Sequence, residues 1–483
     1  MLFGVHLVAI VSALAMMRSF ERGFSFAEYV LLKLIAYLPD LEDEPEFAPR
    51  APTGPTTAAG GPSSLTKRPP RKSRVPTPAP VTETKKARSG AKGTFDLTLR
   101  QIRLQSRFVE RHVGAADVAV NLSMAAYTIV IWLVSQVWFM FGPATELYGR
   151  ERFTQYLDQW IYFALVIVIL GQLYSLVRAT SLKATATVHA LAVFAWFSFL
   201  VSAIISYLPE STIDFQMADD ARAFFDVLEE RLGEIQGDRT ARGADAVRVL
   251  MAAVGACLGA LVMLPSFRDG QQLQAHVEHR AIVAKRHSFL APLLAAMHLG
   301  LSVMAIMAHF RATGHDFVVG QLHVDEAVFL RVRSILLIAP PLVRLFLTRF
   351  HAQCHLDASF VMAEVKNEKG EVEVDKHGGA LQFRNKLLSN FLTVCTVMAQ
   401  YIASAVLTFL VAALATANGF DLRERMDRDR APLHRNYIVF LSLWLAFVHV
   451  LAMSFGFLMA AIKARRARRG GAGSATMIGG RRS

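Results

Sequence analysis

Long apolar runs separated by polar and charged connections dominate the chain. A membrane-spanning helix needs roughly 20 mostly apolar residues. Internal segments of that kind are Ala115–Phe141, Trp160–Val177, Val188–Leu208, Val247–Leu264, Phe289–Phe310, Val328–Leu347, Phe391–Ala415 and Ile438–Ile462. Leu2–Met17 is a shorter apolar run at the N-terminus. None of these runs alternates with a period of two, which excludes a transmembrane β-barrel. Trp138, Trp160, Tyr207 and Tyr437 lie near segment ends, where amphipathic rings suit the headgroup layer. The pattern predicts an all-α polytopic membrane bundle of about nine spans.

The connections divide the chain further. Residues 1–41 read as an anchor span followed by an interfacial helix, Phe24–Leu38, with apolar residues at helical spacing. Residues 42–95 are rich in Pro, Thr, Ser, Ala, Gly and Lys and almost lack aromatic residues. Such a stretch buries too little apolar surface to offset chain entropy, so it is expected to be a disordered basic tether. Residues 96–462 form the eight-span membrane domain, and 463–483 a basic tail. Asp219–Leu232 is a second amphipathic candidate. No internal repeat is visible, so the inverted-repeat plan of many transporters gains no support.

Composition sharpens the class. Of 483 residues, 53% are hydrophobic and only 19% charged, and mean hydropathy is +0.35. A soluble multidomain enzyme would carry about a quarter of its residues as charged groups. The formal charge of +13 raises nucleic acid as a partner. The basic residues are instead dispersed beside apolar segments, where the bilayer and its anionic headgroups are the nearer partners. Lys and Arg are roughly threefold more numerous in one alternating set of loops, which includes the tether and the tail, than in the other. The tether and C-terminus are therefore expected in the cytoplasm and the N-terminus outside or in a lumen. Cleavage of Leu2–Met17 after Ala15 would reverse the tether's side, so an uncleaved anchor is the better reading. Nothing in the sequence distinguishes the plasma membrane from an endomembrane.

An ionisable group within a span is expensive, and its default reading is functional. Asp117, Arg248, Arg331, Arg333, Arg344, His189, His298 and His449 qualify. Most lie near segment ends, where long side chains reach the interface. Arg344 follows Pro340-Pro341, a pair that removes two backbone donors. Arg344 is expected to partner the freed carbonyls and tie its helix to a neighbour. Arg349 and His351 are expected to meet headgroups or the 348–390 loop. Asp117 is the one carboxylate seen inside a span, too few for a proton relay, and no voltage-sensor spacing or selectivity filter appears. His351, Cys354 and His355 could bind a transition metal but lack a fourth ligand, and a juxtamembrane pair is the better reading. Cys354 is also placed for palmitoylation. Cys257, Cys354 and Cys395 are far apart, so no disulfide framework or zinc ribbon is expected. No nucleotide loop or hydrolase motif occurs, and neither an enzyme nor a cofactor is expected.

Several short motifs, in order along the chain, resemble the transmembrane protein 161 family. They begin with Gly4-Val5-His6-Leu7-Val8 and Phe24-Ser25-Phe26-Ala27, then Phe141-Gly142-Pro143 with Asp117 near an acidic position. Gly259-Ala260-Leu261 through Leu264-Pro265-Ser266-Phe267-Arg268 follows, and then Phe289-Leu290-Ala291-Pro292-Leu293. Phe329, Arg333, Arg344, Arg349, His351 and Gln353 keep the family's spacing without a gap, and Gln400-Tyr401 and Ser454-Phe455-Gly456 complete the set. The longer tether, Cys354 and His355 depart from the pattern. The resemblance implies a multi-pass membrane protein without catalytic activity, associated with ion currents, membrane excitability and oxidative-stress responses. It makes Asp117, Arg333, Arg344, Arg349, His351, Gln353 and Gln400 the candidate functional or structural positions. Channel or signalling membrane proteins are then the expected partners. A transporter or channel in its own right is the alternative. A mid-depth aqueous cavity lined by Asn121, Gln136, Gln172, Gln400 or His298 would favour it.

Overall fold

The computed structural model describes residues 15, 30–31, 34–39, 99–103, 115–141, 164–178, 185–208, 212–213, 238–278, 290–357, 364–365, 372–373, 379–416 and 434–479. The segments Leu2–Met17 and Asp219–Leu232 and the tether 42–95 lie outside the described residues, apart from Ala15. The helices are α1 (Ala115–Phe141), α2 (Ala164–Arg178), α3 (Thr185–Ser206), α4 (Asp238–Glu278) and α5 (Leu290–Met307). They continue with α6 (Glu326–Phe346), α7 (Thr348–Asp357), α8 (Gly379–Thr416) and α9 (His434–Gly479). A short π-helix, His315–Gln321, leads into α6.

The fold is nearly all helical. Among the described residues, four helices carry windows long and apolar enough to cross a membrane: Ala115–Leu133, Asp245–Gln274, Leu387–Thr416 and Tyr437–Ile462. Ala164–Arg178, Ala192–Ser206 and Ala295–Met307 are shorter apolar helices. The expected interfacial helix Phe24–Leu38 is corrected at its C-terminal end. Ile35–Pro39 is a strand, β1, paired antiparallel with β2, Leu99–Arg103. The reason is visible in β2, where Leu99 and Ile102 interrupt Arg100, Gln101 and Arg103 in a short extended segment, and in β1, which Pro39 ends. A second small hairpin joins β3, Glu364–Val365, to β4, Val372–Glu373.

Helix α8 is the axis of the bundle. Its residues 397–416 are buried throughout, and Met398, Ile402, Leu407 and Phe409 share one core with residues of α1, α2, α4, α6 and α9. Helices α4 and α9 cross with their backbones in close approach. A side chain at Gly270 would strike the backbone of Met453, and one at Gly456 the backbone of Phe267. Small residues permit that approach, which maximises van der Waals contact where lipid supplies no hydrophobic driving force. Higher in the same contact, Trp444 donates its indole N–H to the Gly255 carbonyl at 2.7 Å.

A buried charged and polar centre

Helix α4 does not stop at Leu264, where its most apolar stretch ends. It runs on through Pro265 to Glu278, and its buried face there carries Ser266, Asp269 and Gln272. That extension places a carboxylate inside the bundle. Arg344 Nη2 lies 2.7 Å from Asp269 Oδ2, with the two side chains 2% and 4% exposed. The expectation that Arg344 partners carbonyls freed by Pro340-Pro341 is corrected. Helix α6 holds both prolines within one helix, and the guanidinium goes to a carboxylate of α4. A full opposite charge is the stronger partner in a low-dielectric interior.

Tyr401 of α8 completes the clamp. Its hydroxyl donates to the Arg344 carbonyl at 2.9 Å, and its ring lies beneath the guanidinium at 4.7 Å. His351 of α7 also packs against this group, with its ring centre 4.5 Å from that of Tyr401. Its Nδ1 donates to Gln272 Oε1 at 3.0 Å and lies 4.0 Å from Asp269 Oδ1. His351 is therefore buried in the core, not at the headgroups as expected. Arg268 donates to Gln400 Oε1, and Gln400 Nε2 donates to the Leu176 carbonyl at 2.7 Å. Arg268, Asp269, Gln272, His351 and Tyr401 border a small cavity with room for about one water molecule.

A second polar site lies beside this centre. His298 of α5 and His449 of α9 face each other with Nε2 atoms 2.6 Å apart. His298 Nδ1 lies 3.0 Å from the Pro340 carbonyl, and His449 Nδ1 lies 2.7 Å from Ser266 Oγ. Helices α2, α4, α5, α6, α7, α8 and α9 thus all contribute to these buried polar contacts.

The remaining sequence candidates are dispersed. Asp117 is exposed at the start of α1, where its carbonyl accepts from Asn121. Arg333 is half-buried, with its guanidinium 5.9 Å from the Phe329 ring, and Arg349 is exposed. Gln353 is buried and donates to Asp357 at 2.9 Å. Arg248 stacks over Tyr207 and bonds Asp245, and His189 and Arg331 are exposed. His355 is within 3.2 Å of Thr393, on a different neighbour from His351. Cys354 is buried, which corrects the expectation of an acylation site, and burial pushes its thiol pKa well above the usual value, with Asp357 adding to the shift.

Sequence reasoning missed Asp269 and Gln272, and placed Arg268 only within a motif, because it ended the span at Leu264 and read 265–288 as a loop. A signal was available: Pro265, Ser266, Asp269 and Gln272 recur at three- and four-residue spacing, one face of a continuing helix.

The family described as predicted transmembrane protein 161AB matches residues 120–433 of the chain. No curated protein and no solved structure shows significant similarity to it.

Proposed function

The chain belongs to the predicted transmembrane protein 161AB family, and on that footing we propose that it is a non-enzymatic integral membrane regulator. It acts on ion currents or membrane signalling by contact with channels or signalling proteins in the bilayer, with a link to oxidative-stress response. Its basic cytoplasmic segments hold it against anionic headgroups.

One observation carries this reading. Several polar groups that could line an aqueous path are spent on one another or on backbone: Gln400 on Leu176 and Arg268, His298 on His449 and Pro340, and the Asn121 amide N–H on its own helix. Asn121 Oδ1 and Gln172 Oε1 are buried with no hydrogen-bond partner among the described residues. Asp269 and Arg344 neutralise each other beside a space for about one water. Such a core supports a rigid scaffold that works through its outer surface better than it supports a conduit.

The test is purification in mild detergent, with mass spectrometry of the co-purifying proteins and an ion-flux assay on the same material in liposomes. A channel or signalling protein should co-purify in near-stoichiometric amount, and the chain alone should carry no flux. Flux carried by the chain alone would replace this reading with the transporter alternative.

A further inference from the structure

The contacts of His298 and His449 leave few ways to place their protons. The Pro340 carbonyl can only accept, so His298 Nδ1 carries a hydrogen. In a neutral His298 ring, Nε2 then presents a bare lone pair. Two bare lone pairs cannot face each other at 2.6 Å, so His449 Nε2 must supply the hydrogen between the rings. In a neutral His449 ring, Nδ1 is consequently an acceptor and needs a donor. Among the described residues, the group beside it is the Ser266 hydroxyl, 2.7 Å away.

That hydroxyl has a second choice. Ser266 Oγ also lies 2.9 Å from the Val262 carbonyl, one turn back on the same helix. A hydroxyl hydrogen rotates freely between such acceptors. If it turns to Val262, Ser266 Oγ becomes an acceptor and His449 Nδ1 must carry a hydrogen. The pair then holds one proton more, with positive charge shared across the Nε2–H–Nε2 contact. The two arrangements differ by one proton and one hydroxyl rotation, and the ring nitrogens of His298 and His449 and the Ser266 hydroxyl are paired in both.

We propose that Ser266, His449 and His298 form an intramembrane binding site for a single exchangeable proton, a function separate from whether the protein regulates or transports. The step is balanced. A hydronium ion or water-borne acid delivers H+ to the His449 Nδ1 lone pair, the Ser266 O–H turns from that atom to the Val262 carbonyl, and the new N–H donates to Ser266 Oγ. No redox partner is involved. Pro265, next to Ser266, borders the cavity with room for about one water, which supplies a place from which the proton can come.

The surroundings determine what the proton does. Arg344, on α6, acts electrostatically on both rings, and His351, on α7, acts on His449. From α4, Asp269 neutralises Arg344, with Arg268 beside it, and from α8, Tyr401 closes over Arg344. A proton on the histidine pair therefore adds like charge opposite Arg344, so occupancy of the site and the hold of α6 on α4 are coupled. This makes the bundle proton-responsive at its centre.

The experiment is nitrogen NMR of 15N-histidine-labelled full-length protein in liposomes, between about pH 4 and 9, comparing wild type with Ser266→Ala and Ser302→Ala. At the alkaline end His298 should be the Nδ1–H tautomer and His449 the Nε2–H tautomer. On acidification the two rings should change together, taking up one proton between them. Ser266→Ala keeps both rings but removes the switching hydroxyl, and should move that step by about tenfold or more in proton concentration. Ser302→Ala, which removes a hydroxyl bonded to the His298 carbonyl, should leave it in place. Identical tautomers at alkaline pH, independent titration of the two rings, no proton uptake by the folded protein across the range, or a Ser266→Ala step indistinguishable from wild type would each overturn the proposal.

Discussion

Arg344 and Asp269 stand 75 residues apart in sequence and 2.7 Å apart in space, on different helices, each almost completely buried. Two charges taken out of water in this way are tolerated because each is the other's counterion and hydrogen-bond partner. Removing one leaves the other stranded. Arg344→Leu should therefore lower stability by about 3–5 kcal/mol. The double variant Asp269→Leu/Arg344→Leu should recover much of that loss, because no unpaired charge remains. Melting curves in one detergent, run on both singles and the double, measure the coupling. Strict additivity would show that the pair contributes nothing as a pair.

The α4–α9 crossing makes a sharper distinction between glycines. Gly270→Ala puts a methyl group into the backbone of Met453, where nothing flexible can yield. Overpacking of this kind costs about 1–3 kcal/mol or more, and folded yield should fall. Gly300→Ala, in α5 with open space around it, should be neutral or stabilise by up to about 1 kcal/mol through helix propensity. Thermal stability of the two variants side by side decides the matter.

Cys354 offers a pH test outside the spans. Its thiol pKa is raised in the folded protein, chiefly by desolvation and then by Asp357. The unfolded chain ionises at about pH 8.5, whereas the folded chain holds its proton. The unfolded state therefore binds fewer protons above that pH, and stability falls as pH rises. Below it, the contribution is intact. Cys354→Ser should flatten the alkaline limb of a stability–pH curve. In the native protein, Cys354 should resist maleimide until denaturant is added.

Topology is checked by tags. Ones inserted at residues 42–95 and after Ser483 should be reachable from the cytoplasm, and one at residue 425 from the opposite side. The loop asymmetry in Lys and Arg motivates this arrangement. A tether tag reachable only from outside would reverse it.

Helical class and membrane residence were legible in the apolar runs, because a bilayer demands long continuous hydrophobic segments whatever their neighbours. Helix α8 illustrates this: Phe391–Ala415 stood out as a span, and Leu387–Thr416 is helical, long and apolar enough to cross a membrane. Arg344, His298 and His449 were also visible as costly groups inside apolar segments. Their partners were not. Asp269 lay beyond an apparent helix end, and nothing local joins it to a residue 75 positions away. Likewise residues 35–38 looked helical until the pairing of Ile35–Pro39 with Leu99–Arg103 overrode local preference. Hydrophobic periodicity is a property of neighbours along the chain, so the sequence by itself determined the helical class and where the most apolar helices lie. Counterions, shared protons and backbone contacts such as Gly270 with Met453 depend on which helix faces which, and only the tertiary structure decided those.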